Sequence, residues 1–167
     1  KNDIFQDLQL HIDNFKPDII FWSAISSHIH GEGEYVNIQY GYDLIKSINS
    51  AALKITGGIQ PTARPQEMLK LFSGVDFFIS GESEFVLLEC AEKFNDSKDI
   101  RKIQGVTFLN NNLVTSNPRQ KIINDLDTLT CYDYSVFEDQ IFFRPYNGNV
   151  ERAVDYELSR GCIYACS

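Results

Sequence analysis

The run Asp18–Ile25 limits the fold of this 167-residue chain more than any other feature. Its letters, DIIFWSAI, are almost continuously apolar, and the turn-forming Lys16-Pro17 comes directly before it. A strand with one solvated face alternates apolar and polar residues, whereas a parallel-sheet strand covered on both faces is apolar throughout. The run therefore predicts a buried strand of a parallel sheet that has helices on both faces.

Helix-like and strand-like segments alternate along the first part of the chain. Ile4, Leu8, Ile12 and Phe15 lie at helical spacing and predict a helix that ends before Pro17, because the residue before proline avoids the helical conformation. The further predicted elements are a helix over Tyr42–Ile48, a strand over Ala52–Thr56, a short helix over Pro65–Phe72, a strand over Asp76–Ser80 and a helix over Phe85–Phe94. This alternation predicts an α/β fold with a parallel sheet and right-handed crossover connections.

The pattern changes after residue 104. Gly105–Leu109 and Leu113–Ser116 flank three asparagines and predict a β-hairpin appended to the α/β domain. The residues that follow are aspartates, aromatics and scattered prolines without sustained periodicity, which predicts a linker packed by its aromatic side chains. Val150–Leu158 alternates loosely and predicts the first strand of a following domain. The expected boundaries are 1–104 for the α/β domain, 105–116 for the hairpin, 117–149 for the linker and 150–167 for the start of the next domain.

Charge and hydropathy argue against two classes of partner. The formal net charge is −8, the sequence pI is near 4.8, and no run of basic residues occurs, whereas nucleic-acid binding depends on clustered Lys and Arg. The longest apolar stretch, around Ile19–Trp22, is far shorter than a membrane span, and the N-terminal letters KNDIFQDLQL lack a signal-peptide pattern. We therefore expect no nucleic-acid partner, no membrane span and a cytoplasmic location.

Polar and glycine-rich stretches follow the three strands predicted in the α/β region. They are Ser23–His28, Gly57–Thr62 and Gly81–Glu84, and ligands of open parallel sheets bind beyond the carboxyl ends of the strands. Glycines let a flat ligand approach the backbone, while hydroxyls and helix N-termini bind polar and anionic groups. Two interpretations of Gly57-Gly58 stay open: part of a site for a nucleotide-like group, or only a turn between strand and helix.

Several short motifs occur in order along nearly the whole chain. They are KPDII with Ser23 ending the strand, GGIQPTARPQE from Gly57, VDFFISGESE from Val75, Gly105-Val106-Thr107, Asp125-Leu126-Asp127 and Ser159-Arg160-Gly161-Cys162. In this order they resemble the cobalamin-binding-domain radical S-adenosylmethionine family, which includes anaerobic magnesium-protoporphyrin IX monomethyl ester cyclases and many cobalamin-dependent methyltransferases. The resemblance implies an open, Rossmann-like sheet of the flavodoxin type, a cobalamin cofactor and a small-molecule substrate.

The resemblance also implies which residues surround the nucleotide tail of cobalamin. Ser23 to Ile25 corresponds to the family's Ser-x-Leu segment, and Gly57-Gly58 corresponds to its Gly-Gly segment. The expected cofactor-binding residues are Ser23, Ile25, Ser26, Gly57, Gly58, Thr62, Gly81 and Glu82. The chain departs from the family at Gln60, where histidine is common, and lacks an Asp-x-His-x-x-Gly motif. No histidine of that motif is therefore available to ligate cobalt.

Cys162 and Cys166 follow a Ser-Arg-Gly turn. Their spacing resembles the start of the motif Cys-x-x-x-Cys-x-x-Cys, whose cysteines hold three irons of a [4Fe-4S] cluster while the fourth iron binds S-adenosylmethionine. The position of the third cysteine falls beyond Ser167. We therefore expect Cys162 and Cys166 to be two of three cluster ligands in a longer parent enzyme. The 167-residue chain by itself is expected to be inactive and to hold no stable cluster.

His28 and His30 lie in a glycine- and glutamate-rich stretch that looks like an insertion after the first predicted strand. Two imidazoles and two carboxylates in one loop can hold a divalent metal, but a closed set of ligands is missing, which favours a solvated loop. Cys90 and Cys131 are most simply interpreted as buried or incidental thiols.

The resemblance implies a second truncation, at the amino end. Family members open with a strand, a helix and a second strand before the helix that Ile4–Phe15 resembles here. Their loss from a flavodoxin-like sheet would leave the Asp18–Ile25 strand with an unpaired edge. We expect that edge to pair with a second copy of the chain in a homodimer, or to be covered by the chain's own hairpin or linker.

The function expected from the resemblance is that of the cobalamin-binding region of a radical S-adenosylmethionine enzyme that forms a ring or transfers a methyl group. One alternative is an α/β scaffold or interaction domain that has lost cobalamin binding. Another is an independent flavodoxin-like receiver or nucleotide-binding domain, which leaves the Ser159–Cys162 motif unexplained.

Overall fold

A computed structural model describes residues 3–23, 34–72, 74–154 and 160–161. The chain forms two compact units, Lys1–Asn124 and Asp125–Ser167. The elements of the first unit are helix α1 (Ile4–Phe15), strand β1 (Ile19–Ser23), helix α2 (Glu34–Ser47), strand β2 (Leu53–Gly57), helices α3 (Ile59–Ala63) and α4 (Pro65–Leu71), strand β3 (Phe77–Ile79), helices α5 (Glu84–Glu92) and α6 (Ser97–Ile100), and strands β4 (Val106–Asn110) and β5 (Leu113–Ser116).

Strands β1 to β5 form one sheet in the order of the chain. The first three strands are parallel, with Ser23 opposite Gly57 and Thr56 opposite Phe78. Strand β4 pairs antiparallel with β3, and β5 pairs antiparallel with β4. The predicted α/β class with a parallel sheet is therefore confirmed for β1 to β3, and the hairpin makes the complete sheet a mixed one.

The predicted hairpin is confirmed as β4 and β5. Asn111 and Asn112 form its turn with φ angles of 49° and 63°, the left-handed conformation that asparagine tolerates and that a type I′ turn requires. The hairpin extends the sheet beside β3, so it does not cover the outer edge of β1. Among the described residues that edge has no strand partner.

Helices cover both faces of the sheet. Successive strand residues point to opposite sides and therefore pack against different helices. Phe77 and Ile79 face helices α5 and α6, whereas Phe78 faces helices α2 and α4. The buried residues of the first group, the α5-face cluster, are Ile55, Phe77, Ile79, Val86, Cys90, Ile100, Ile103, Val106 and Phe108. The buried residues of the second group, the α4-face cluster, are Tyr42, Met68, Leu69 and Phe78.

Three helices differ from the sequence expectation. Helix α2 begins at Glu34 rather than at Tyr42, and the short helices α3 and α6 were not predicted. In the first half of α2, Val36, Ile38 and Tyr40 recur at every second position, whereas Tyr35, Ile38 and Tyr42 lie at helical spacing. Periodicity alone therefore does not decide between strand and helix there. Among the described residues, no helix combines the length and the apolar character needed to span a membrane.

The described part of the second unit contains single-turn helices and a hairpin. Its elements are 3₁₀ helices at Leu126–Thr128, Tyr134–Val136 and Asp139–Phe142, and the antiparallel strands β6 (Phe143–Tyr146) and β7 (Asn149–Arg152). Phe142 is buried, with the Tyr134 ring edge-on at 5.9 Å and the Arg152 guanidinium 5.2 Å from its ring centroid. Aromatic packing thus occurs where a linker was predicted. Within the predicted strand Val150–Leu158, the described β-structure ends at Arg152 and belongs to this hairpin.

Candidate ligand site at the carboxyl ends of β1 to β3

The carboxyl ends of β1, β2 and β3 lie side by side because these strands are parallel. Ser23 is exposed at the end of β1, opposite the buried Gly57 at the end of β2, and Gly81 follows β3. Six of the predicted site residues therefore come together at one edge of the sheet: Ser23, Gly57, Gly58, Thr62, Gly81 and Glu82. The predicted residues Ile25, Ser26, His28, His30, Cys162 and Cys166 lie outside the described residues.

Gly58 and Gly81 adopt backbone conformations that favour glycine. Their φ angles are 111° and 97°, a region in which the Cβ of an L-residue is strained. A Cβ added at Gly81 would meet no atom within 4 Å. The loops after β2 and β3 thus each contain a turn that requires glycine, and the second of them leaves its main chain open.

Gly57 is required for a different reason, which is close packing. It belongs to β2, and its φ is not positive. A Cβ built there would lie 2.5 Å from Ser83 Oγ and 3.4 Å from the Phe21 ring. The space beside Gly57 is therefore filled by the loop that precedes α5, and Ser83 is a site residue that the sequence analysis did not select.

Thr62 connects the loops after β2 and β3. Its Oγ1 accepts a hydrogen bond from Gly81 N at 2.8 Å, and its backbone N donates to Gly58 O at 3.1 Å. Ser80 adds a parallel link, since its Oγ donates to Pro61 O at 3.3 Å. Thr62 therefore links the two glycine turns, to Gly81 through its side chain and to Gly58 through its main chain.

The residues that follow β5 return to this edge, and residues 117–124 are here called the return segment. Ile123 N donates to Glu82 Oε2, and Arg119 Nη2 donates to Thr62 O. These partners are 41 and 57 positions apart in sequence, and no local pattern marks such a contact. From the sequence this segment was expected to begin a linker, and Arg119 was not expected at the site.

Tyr42 is buried in the α4-face cluster, where its side chain is 3% exposed. Its ring stacks on Phe72 with centroids 3.7 Å apart and meets Trp22 edge-on at 5.5 Å. Burial raises the pKa of the phenol, and the neighbouring Thr56 hydroxyl donates its hydrogen bond to Trp22 O at 2.9 Å. Among the described residues no atom forms a hydrogen bond with Tyr42 Oη. Tyr42 therefore stabilises the α4-face cluster through the packing of its ring and not through a hydrogen bond of its hydroxyl.

Cys90 is buried in the α5-face cluster, whereas Cys131 is exposed. Burial, and secondarily the negative charge of Glu89, raises the pKa of the Cys90 thiol to about 11. Because the thiolate is the reactive form, Cys90 is an unreactive packing residue, as expected from the sequence. Within the part of the chain that the structure describes, His, Cys, Asp and Glu side chains form no group of three that suits a metal ion.

Sequence comparisons give partial matches to larger enzymes. No protein-family model matches the chain. It is 26% identical over 172 residues to the anaerobic magnesium-protoporphyrin IX monomethyl ester cyclase of Rubrivivax gelatinosus, a match that covers 99% of this chain and 29% of that protein. It is 23% identical over 162 residues to an uncharacterized methyltransferase of Pyrococcus horikoshii, covering 97% of this chain and 33% of that protein. The chain thus spans at most about a third of these relatives.

Comparison with solved structures gives matches to the methyltransferase TsrM of Kitasatospora setae. The structure with cobalamin and a [4Fe-4S] cluster bound has a TM-score of 0.58 at 15% identity and covers 92% of this chain and 24% of that chain. The structure with tryptophan and a S-adenosylmethionine analogue has a TM-score of 0.57 at 18% identity, over 70% of this chain and 22% of that chain. At such identities the likeness concerns the fold. Sequence relatives and fold together confirm that the chain resembles the cobalamin-binding-domain radical S-adenosylmethionine family.

Proposed function

We propose that the carboxyl edge of β1, β2 and β3 binds the nucleotide tail of cobalamin, within a larger radical S-adenosylmethionine enzyme of the cyclase-like or methyltransferase type. The observation that carries the proposal is the pair of glycine turns at Gly58 and Gly81, with open space beside Gly81. The sequence similarity to a cyclase and the fold shared with a cobalamin-bound methyltransferase support it.

The residues at the edge fit such a ligand. Ser23 is exposed and shares the α5 face of the sheet with Phe21 and Gly57, because alternate strand residues share a face. Its hydroxyl can donate to an amide or phosphate oxygen, or accept a hydrogen bond. The turns at Gly58 and Gly81 let a flat group approach the main chain. When bound, cobalamin supplies the methyl-transfer or ring-forming chemistry, and these residues bind and orient it.

Two of the predicted ligands act indirectly in this proposal. The Thr62 hydroxyl is engaged with Gly81 N, and the Glu82 carboxylate is engaged with Ile123 N. Both side chains therefore hold loops in place, and the groups left for the ligand are the Ser23 hydroxyl and the main chain of the glycine turns.

The chemistry that follows cofactor binding belongs, in this proposal, to a longer parent enzyme in the cytoplasm. Cys162 and Cys166 are proposed as two of three ligands of its [4Fe-4S] cluster, which binds S-adenosylmethionine. The small-molecule substrate is likewise assigned to the parent, because the chain spans only 29% of the related cyclase.

A scaffold that has lost cobalamin is the second candidate function, and the contacts of Gly57 and Thr62 favour it. Ser83 Oγ fills the space beside Gly57, and Thr62 bonds to the neighbouring loop. In a scaffold these contacts only stabilise the edge of the sheet, and the glycines only form turns.

Titration with hydroxocobalamin, followed by absorbance, separates the two functions. We expect saturable binding, and we expect Gly81→Ala to weaken it about tenfold or more, since a Cβ would occupy the open space beside the main chain. Gly148→Ala is the matched control: Gly148 has a φ of 78° and no atom within 4 Å of an added Cβ, but it lies in the β6–β7 turn. Both substitutions impose similar backbone strain, and only the first changes a proposed ligand contact.

Two results would count against cobalamin binding at this edge. A flat titration of the folded parent protein would leave the scaffold as the better function. Equal affinity of Gly81→Ala and the wild type for cobalamin would show that Gly81 does not contact the ligand.

We also propose that the outer edge of β1 pairs with a second copy of the chain. Among the described residues this edge lacks a strand partner, and Ile19–Trp22 are apolar. Free apolar strand edges pair readily with other strands. Small-angle scattering is expected to show a homodimer, and hydrogen exchange is expected to be slow at the β1 amides that face away from β2. A monomer whose outward-facing β1 amides exchange freely would contradict the pairing.

A further inference from the structure

The return segment is fixed at its start, directly before Arg119. Asn117 N donates to Val106 O at 3.0 Å, which continues the pairing of β4 with the chain after β5. Gly105 N donates to Pro118 O at 2.7 Å. The backbone at Pro118 is therefore held against the residues that begin β4, and the position of Arg119 follows from this attachment.

The Arg119 side chain reaches the candidate ligand site. Its Nη2 donates to Thr62 O, and Thr62 bonds in turn to Gly58 O and Gly81 N. The guanidinium is therefore one hydrogen-bonded residue away from both glycine turns. Arg119 is exposed, and among the described residues it has no carboxylate within ion-pair distance.

Arg119, which has no ionic partner in the part of the chain that the structure describes, suits an anionic ligand. One guanidinium N–H group is used by Thr62 O, and the others remain for a further acceptor. The planar guanidinium binds phosphate oxygens with paired, charge-assisted hydrogen bonds. The chain carries a net charge of −8, and a local cation at this edge provides a favourable potential for a phosphate group.

The nucleotide tail of cobalamin contains a phosphodiester, which carries a negative charge. We propose that Arg119 binds this phosphate while Gly58 and Gly81 provide the adjoining main chain. This inference rests on the function proposed above, and it assigns a binding role to a residue outside the motifs that resemble the family. The alternative is that Arg119 only fastens the return segment to Thr62.

Two corrinoids distinguish these roles. Hydroxocobalamin contains the nucleotide tail, whereas diaquacobinamide has the same ring without the tail and its phosphodiester. We expect Arg119→Gln to weaken cobalamin binding about ten- to a hundredfold and to leave cobinamide binding within about twofold, because only cobalamin carries the phosphate. Arg119→Lys keeps the charge but loses the planar fork, and an intermediate loss for cobalamin alone is expected.

Arg101→Gln is the matched control because it removes the same charge. The Arg101 guanidinium lies over the Phe108 ring, 5.3 Å from its centroid, and has no part in the proposed site. We expect this variant to bind both corrinoids like the wild type. Thermal unfolding without ligand, measured for all variants, reports separately on any loosening of the return segment.

Each alternative result has a distinct meaning. An equal loss of affinity for both corrinoids would overturn the phosphate role and assign Arg119 to the return segment alone. Unchanged cobalamin affinity would overturn it as well. If Arg119→Gln fails to fold, the Arg119→Lys variant tests the proposal, because the phosphate role requires that this variant lose affinity for cobalamin and not for cobinamide. A wild type that binds cobinamide and cobalamin equally overturns the phosphate contact, whereas one that binds neither overturns the proposed function itself.

Discussion

Replacing Phe78 with alanine is expected to lower the free energy of unfolding of the first unit by about 3–5 kcal/mol. Phe78 is 0% exposed, and its neighbours in the α4-face cluster are Tyr42, Met68 and Leu69. Strand β3 is paired on both sides, with β2 and β4, so its backbone cannot move to close the cavity. The cost therefore includes the cavity as well as the lost burial.

Urea unfolding followed by Trp22 fluorescence measures this loss. Trp22 is the single tryptophan of the chain and packs against the α4-face cluster, so its signal reports on the first unit. Phe15→Ala is the control: Phe15 is 82% exposed, and its substitution is expected to change stability by at most about 0.5 kcal/mol. A loss below about 1 kcal/mol for Phe78→Ala would mean that the described packing around β3 is incorrect.

The strands were predictable from the sequence because they depend on local apolar runs. Asp18–Ile25 and Asp76–Ser80 lack polar alternation, and the structure buries β3 fully and the first four residues of β1 in part. The hairpin was predictable from its asparagines. Its place beside β3 was not, since the pairing of Phe77 with Phe108 joins residues far apart in the chain and leaves no local pattern.

The helices show where local patterns fail. Helix α3 is one turn long and contains Pro61, so neither length nor propensity indicates it. The first half of α2 has apolar residues at both strand-like and helical spacing, so its helical state is not apparent from periodicity. In both cases the segment gives too weak a local signal, and helix propensity is only a weak guide.

The residues that meet at the carboxyl edge were predictable from the sequence, but their contacts were not. The rule that ligands bind at the carboxyl ends of parallel strands selected the loops after β1, β2 and β3, and the described residues of these loops lie at one edge. Thr62 and Glu82 were selected for their polar side chains, yet both bond to the backbone of other segments, 19 and 41 positions away. Such partners are set by the tertiary structure.

Replacing Gly57 with alanine is expected to lower the free energy of unfolding by about 1–3 kcal/mol, the cost of overpacking a filled space. The added Cβ would lie 2.5 Å from Ser83 Oγ, closer than any normal contact. The backbone at Gly57 is that of a strand and its φ is not positive, so strain of the main chain makes no contribution. Gly41→Ala is the control, because Gly41 lies inside α2 with no atom within 4 Å of an added Cβ. That variant is expected to gain about 0.5–1 kcal/mol from higher helix propensity.

A double-mutant cycle with Ser83→Ala identifies the obstacle at Gly57. Ser83 Oγ makes no capping hydrogen bond at the start of α5, so its removal is expected to change stability by at most about 0.5 kcal/mol. In the double variant the colliding oxygen is gone, and most of the loss caused by Gly57→Ala should disappear, giving a coupling energy of about 1 kcal/mol or more. Additive losses would instead identify the Phe21 ring, 3.4 Å from the added Cβ, as the limiting contact. Recovery would mean that Gly57 is required by the Ser83 contact, whether or not a ligand binds beside it.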